Sequence, residues 1–125
     1  MSVLTQAIQA GLSPVTGSER DGFSARIIFP TEFVGFKGHF PGRPVLPGVC
    51  LIQTALVALS CALDKPLELK RLVSAKWMVP VLPGEEIVLS LSLKDRENAL
   101  LSARVVVMRG AGKVAEFSLE VVVAP

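Results

Sequence analysis

Tyrosine is absent from the 125 residues, and the chain carries one histidine, one tryptophan and two cysteines. His39, Cys50 and Cys61 do not have the clustered His/Cys spacing of a zinc site, so no metal is expected. No glycine motif for a nucleotide is present either, and no cofactor is implied. Two cysteines cannot build a disulfide framework; both lie in an apolar stretch and are expected to be small buried hydrophobes. Thirteen basic against eleven acidic residues leave a net charge of +2, and aromatics make up 6%. A nucleic-acid binder would need a basic stripe and stacking rings, and neither is available. Residues 1–12 lack a basic leading region and carry Gln6 and Gln9, unlike a secretory signal. Reduced thiols without such a signal point to the cytoplasm.

What is present is apolar material. Half of the residues are hydrophobic and 19% are charged, enough for a buried core and incompatible with intrinsic disorder. The length suits a single domain, residues 1–125. Residues 44–63 contain no charge. Pro44 and Pro47-Gly48 break the start of that run, so a helix can occupy only Gly48–Leu63, about 24 Å at 1.5 Å per residue. A bilayer core is about 30 Å thick. A buried helix, with no membrane span, is therefore expected.

The pattern along the chain is mostly that of strands. Residues 3–10 admit either a short helix or a strand, and residues 17–21 read as a turn. Residues 22–30 alternate through Phe23, Ala25, Ile27 and Phe29. Residues 31–47 are too rich in Gly and Pro for regular structure and form a shaped loop leading into the helix. Residues 67–79 are extended and mostly apolar, and residues 80–84 break them. Three alternating strands follow at 85–94, 99–108 and 114–123, separated by turns at 95–98 and 109–113. This order predicts an α+β fold in which one antiparallel sheet curls around one apolar helix. A helix apolar on every side has more surface than one sheet face covers, so a second subunit is expected to close the other side.

Three features carry chemistry. His39 sits in a loop stiffened by Pro41, Pro44 and Pro47, which lowers the cost of holding its ring, and imidazole is the side chain suited to moving protons near neutral pH. Pro47-Gly48-Val49 opens the helix, where free N–H groups can hold a polarised carbonyl oxygen. An ordinary Pro-Gly helix start is the plain alternative. Gln53 lies about 7.5 Å further along the axis. Burying its amide unpartnered costs about 1–3 kcal/mol, so it faces a polar cleft or makes a structural hydrogen bond.

The string GHFPGRPVLPGV followed by an apolar helix resembles the 3-hydroxyacyl-[acyl-carrier-protein] dehydratases of the hotdog fold. AKWMVPVLPGEEIVLSL resembles that family's strand, Pro-Gly turn and strand. The likeness runs from about residue 32 onward. The first thirty residues lack the Pro-His-Arg-Tyr-Pro signature of the main fatty-acid enzymes, so a divergent branch serving a specialised lipid or polyene pathway fits better. The resemblance implies an obligate dimer, often assembled further, with a tunnel at the subunit interface. By motif position it implies that His39 is the catalytic histidine and that the Gly48 amide holds the thioester carbonyl, with Val49 and Phe40 at the substrate. It also puts Gln53 where the family has a Glu or Asp contributed by the other subunit.

Gln53 is a departure with consequences. Eliminating water from a 3-hydroxyacyl thioester needs a base at C2 and a proton for the leaving hydroxyl, and a primary amide supplies no proton at neutral pH. Losing a general acid costs about 10²–10⁴ in rate. Three remedies are open: His39 acts as base and then acid while Gln53 orients the hydroxyl or a water; Glu32, Glu85 or Glu86 supplies the proton; or a homologous partner subunit supplies it. A thioesterase of the same fold, with His39 activating water and Gln53 holding it, is a further alternative. Lys37 and Arg43, with Lys70, Arg71 and Lys76, are candidate contacts for an acidic acyl carrier protein; a coenzyme A thioester is the other substrate form.

Overall fold

The computed structural model of the chain describes residues 2–36, 44–97 and 99–125, without the side chains of residues 95–97. In chain order the elements are α1 (Val3–Gly11), β1 (Thr16–Ser18), β2 (Gly22–Ile28), a 3-10 turn (Val34–Phe36), α2 (Gly48–Leu63), β3 (Leu67–Trp77), β4 (Glu86–Glu97), β5 (Leu100–Arg109) and β6 (Gly112–Val123). The strands form one antiparallel sheet in the order β1-β2-β4-β5-β6-β3. This is a hotdog fold, with α2 as the central helix.

Strand alternation decides which side chains meet α2. Phe23, Ala25 and Ile27 of β2, Ile87, Leu89 and Leu91 of β4, and Leu101, Ala103, Val105 and Val107 of β5 are all buried. On β6 the run Phe117, Leu119 and Val121 continues the layer. Both Val114 and Ala115 are buried, which strict alternation forbids. The register explains it: Val107 pairs with Ala115 and Met108 with Lys113, so Val114 is an extra residue in the strand. Its carbonyl accepts from the N–H groups of both Met78 and Val79, which ends β3. Further register shifts on β3 and β4 bend the sheet around the helix.

α2 contributes Cys50, Leu51 and the unbroken run Thr54–Leu59 to the core. Each fully buried aliphatic side chain is worth about 1.5–3 kcal/mol. Thr54 is buried without penalty because its hydroxyl donates to the Cys50 carbonyl at 2.7 Å. The helix stops at Asp64 in the left-handed conformation, whose N–H bonds back to the last turn.

As expected of a helix apolar on every side, the sheet leaves a stripe of α2 uncovered: Val49 is 65% exposed, Cys61 is exposed and Gln53 is half-buried. Two expectations are corrected. Cys61 is on that stripe and is exposed, contrary to its expected burial. The expected turn at 95–98 is also shorter, because β4 runs on through Glu97 across a register shift.

Cys50 is buried as expected, and burial pushes its thiol pKa above the ordinary 9.0 by disfavouring the thiolate, the reactive form. In a Cys61→Ser variant, a thiol reagent at mildly alkaline pH is therefore expected to find no reactive group until denaturant is added. Rapid labelling of the native variant would contradict the packing described.

Candidate functional site

The motif segment is anchored on both flanks. Upstream, Phe29, Phe33 and Phe36 pack edge to face, with ring centroids 4.7 and 6.0 Å apart, and all three are buried. Between them Gly35 lies against the first turn of α2: a Cβ there would come within 2.8 Å of Cys50 Sγ and 2.6 Å of the Phe33 ring. Downstream, Leu46 is buried and its N–H donates to the Val81 carbonyl at 2.9 Å. Lys37, His39, Phe40 and Arg43 lie outside the described residues. Both flanking residues, Gly35 and Leu46, lie near the N-terminal end of α2.

That helix end is open. Pro47 is its N-cap and makes no side-chain cap hydrogen bond. The N–H groups of Gly48 and Val49 have no acceptor within the helix, and the aligned peptides leave partial positive charge there. The Trp77 indole packs directly on Gly48; a Cβ at Gly48 would stand 3.0–3.2 Å from three of its ring carbons. A side chain at position 48 would crowd the ring. Trp77 also packs on Phe117, centroids 5.6 Å apart, and with Leu46, Leu51, Val81 and Ala115 it lines an open cavity of about 330 Å³ beside Gly48.

Gln53 and Val49 open elsewhere. They line a groove of about 710 Å³ bounded by α1, α2 and the region of β3. Gln53 Nε2 donates to Thr5 Oγ1 at 3.1 Å, a contact between residues 48 apart in sequence. Gly48 is not among the groove's lining residues, and Gln53 is not among those of the Trp77 cavity. Within one protomer the helix-end amide and the Gln53 amide thus belong to different concavities.

The carboxylates weighed as alternative acids are elsewhere. Glu85 Oε1 accepts from the Leu82 N–H and from Arg109 Nη1, each at 2.8 Å, stapling the Pro-Gly turn. Glu32 and Glu86 are exposed, and none of the three lines either cavity. Asp64 and Glu68 do line the groove, but Asp64 is eleven residues past Gln53, about 16 Å along the axis. Of the basic residues on β3, Arg71 is tied to Glu120 at 2.8 Å.

Trp77 and Thr5 escaped the sequence reading. Trp77 is the only tryptophan and sits in the quoted strand motif, a signal that was available. Thr5 gave a weaker one: Ser2 three residues before it caps α1, its Oγ accepting the Thr5 N–H at 3.0 Å.

Comparison with known proteins adds the family. Residues 16–114 match the ApeI-like family model, described as ApeI dehydratase. The chain belongs to this family. The 3-hydroxyacyl-[acyl-carrier-protein] dehydratase FabZ of Enterococcus faecalis is 39% identical over 92 residues, 67% of this chain and 64% of that protein. The FabZ of Haemophilus influenzae strain PittEE is 33% identical over 84 residues, 60% and 57% of the two chains. The chain thus spans about half to two thirds of the length of the curated relatives it matches. Among solved structures, the dehydratase heterocomplex ApeI:P from Xenorhabdus doucetiae superposes with a TM-score of 0.66 at 21% identity, covering 81% of this chain and 87% of that one. The fold and the dehydratase-family resemblance drawn from the motif are both borne out. Among the described residues no helix is long and apolar enough to cross a membrane.

Gly48→Ala is expected to fold but to push the indole a few tenths of an ångström away from the helix end, toward solvent. The emission of the sole tryptophan should shift to the red. An unchanged spectrum would mean that the ring does not depend on the missing Cβ.

Proposed function

We propose that the protein is a hydro-lyase that removes water from 3-hydroxyacyl thioesters to give 2-enoyl thioesters, in fatty-acid or related lipid or polyene synthesis. The observation that carries this reading is the uncapped start of α2, with the Gly48 amide unclaimed by the helix beside the Trp77 cavity. The Gly48 N–H holds the thioester carbonyl, stabilising the enolate-like charge that develops when C2 loses its proton. Val49 and Phe40 flank the acyl group.

The elimination balances with one base. Neutral His39 takes the C2 proton, the C2–H electron pair becomes the C2=C3 bond, and the C3–O bond breaks. The same imidazolium returns the proton to the departing oxygen, which leaves as water. Gln53 exchanges no proton; it holds the hydroxyl.

A second copy of the chain completes the site. β3 is an edge strand of eleven residues, with Leu69, Leu72, Val73 and Trp77 all exposed. An unpaired apolar edge of that length invites strand pairing. Pairing β3 with its own copy would cover this edge together with the exposed stripe of α2, and the contact would be isologous. The separation of Gly48 and Gln53 into different concavities then has a reason: each helix serves one site with its end and the other with its flank. Lys37 and Arg43 steer an acidic carrier protein, or the phosphates of coenzyme A, and the protein works in the cytoplasm.

A heteromeric reading is favoured by one observation, the amide at position 53, and is in keeping with the heterocomplex named for the Xenorhabdus relative. In it a homologous subunit supplies the acid.

The test is incubation with a 3-hydroxyacyl thioester, with the enoyl product followed by mass spectrometry. The wild-type chain should form it, and His39→Ala should lower the rate by about 10²–10⁴. A negligible wild-type rate that Gln53→Glu raises strongly would replace this reading by the heteromeric one. Release of free thiol without enoyl product would make the protein a thioesterase instead.

A further inference from the structure

α1 is outside the part of the chain that matches the family, which begins at residue 16, yet it reaches Gln53 in the α2 groove. Gln53 Nε2 donates to Thr5 Oγ1 at 3.1 Å, in a half-buried setting. Thr5 is itself held: its N–H is accepted by Ser2 Oγ at 3.0 Å, and the Ser2 hydroxyl lies 2.9 Å from Thr5 Oγ1. A primary amide has a donor end and an acceptor end, and only its partners decide which end faces a ligand. Here one N–H of the nitrogen is given to Thr5, which fixes that end of the amide on α1 and turns the carbonyl oxygen away from it.

We propose that Thr5 is a positioning residue, which orients the Gln53 amide so that its oxygen accepts a hydrogen bond from the substrate's 3-hydroxyl or from water. This rests on the dehydratase reading and deepens it. A hydroxyl whose proton is given to Gln53 Oε1 has its lone pairs turned away from the amide, free to take the proton that an imidazolium returns. Gln53 is then useful as an acceptor, where a carboxylic acid would have acted as a donor. α1 supplies the fixed point, through the bond from Gln53 Nε2 to Thr5 Oγ1.

The experiment is a double-mutant cycle with two readouts. Thr5→Val keeps the shape and removes the hydroxyl; Thr5→Ser keeps the hydroxyl. With a 3-hydroxyacyl thioester, Thr5→Val should lower kcat about tenfold at nearly constant KM, and Thr5→Ser should restore it. In a Gln53→Ala background Thr5→Val should have no further effect on kcat. An equal loss in both backgrounds, or no loss in either, overturns the proposal. The second readout is independent of turnover. In heteronuclear NMR the Gln53 side-chain amide signals, assigned by their absence in Gln53→Ala, should move and exchange faster with solvent in Thr5→Val and return in Thr5→Ser. If the wild-type chain turns over no hydroxyacyl thioester, the dehydratase reading fails by itself. The amide signals still decide the Thr5 contact, which stands if they move and falls if they do not.

Discussion

The burial of α2 is the constraint on which the rest of the structure depends. Sixteen residues with no charge among them must be removed from water, and a single curled sheet is the cover available within the chain. The strands alternate so as to present one apolar face to it, and register shifts bend that face into a grip. Curvature has a limit, however. The sheet reaches Leu51, Ala55, Ala58 and Leu59 and leaves Val49, Gln53 and Cys61 beyond its edge. The same geometry that makes a stable core therefore creates an unfinished surface, and Gln53 lies on it.

Function follows from where the helix begins and where it is uncovered. Its start is fixed by Pro47, which cannot continue a preceding helix and brings no capping side chain, so the first amides remain available. The Trp77 ring lies against Gly48 and gives that end of the helix an apolar wall. Gln53, one turn further on, is turned toward a different concavity and braced by α1. In the reading proposed, the Gly48 amide and the Gln53 side chain, which line different concavities of one chain, work together across two chains.

Much of this was legible in the sequence, because alternation and helix spacing are local properties. The strands around Phe23, Leu89, Val105 and Leu119 and the helix Gly48–Leu63 each announce themselves within seven to sixteen residues. β3 was extended but gave no burial pattern, since an edge strand exposed on both faces has no inside to alternate with. Cys61 was misjudged for a related reason: apolar neighbours in sequence do not say which helix face the sheet fails to reach. The tie from Thr5 to Gln53 and the contact of Trp77 with Gly48 join residues 48 and 29 positions apart, and no local pattern encodes such pairs. The commitment of Glu85 to the turn at Leu82 and to Arg109 was likewise invisible until the strands were paired.

The central claim is that His39 of one chain and Gln53 of another serve the same site. Its most direct test is complementation between impaired variants. His39→Ala and Gln53→Ala chains, unfolded together and refolded as a mixture, should form mixed dimers in which one site has both side chains intact. The account predicts activity on a 3-hydroxyacyl thioester well above that of either variant refolded alone. A mixture no more active than the sum of its parts would contradict it.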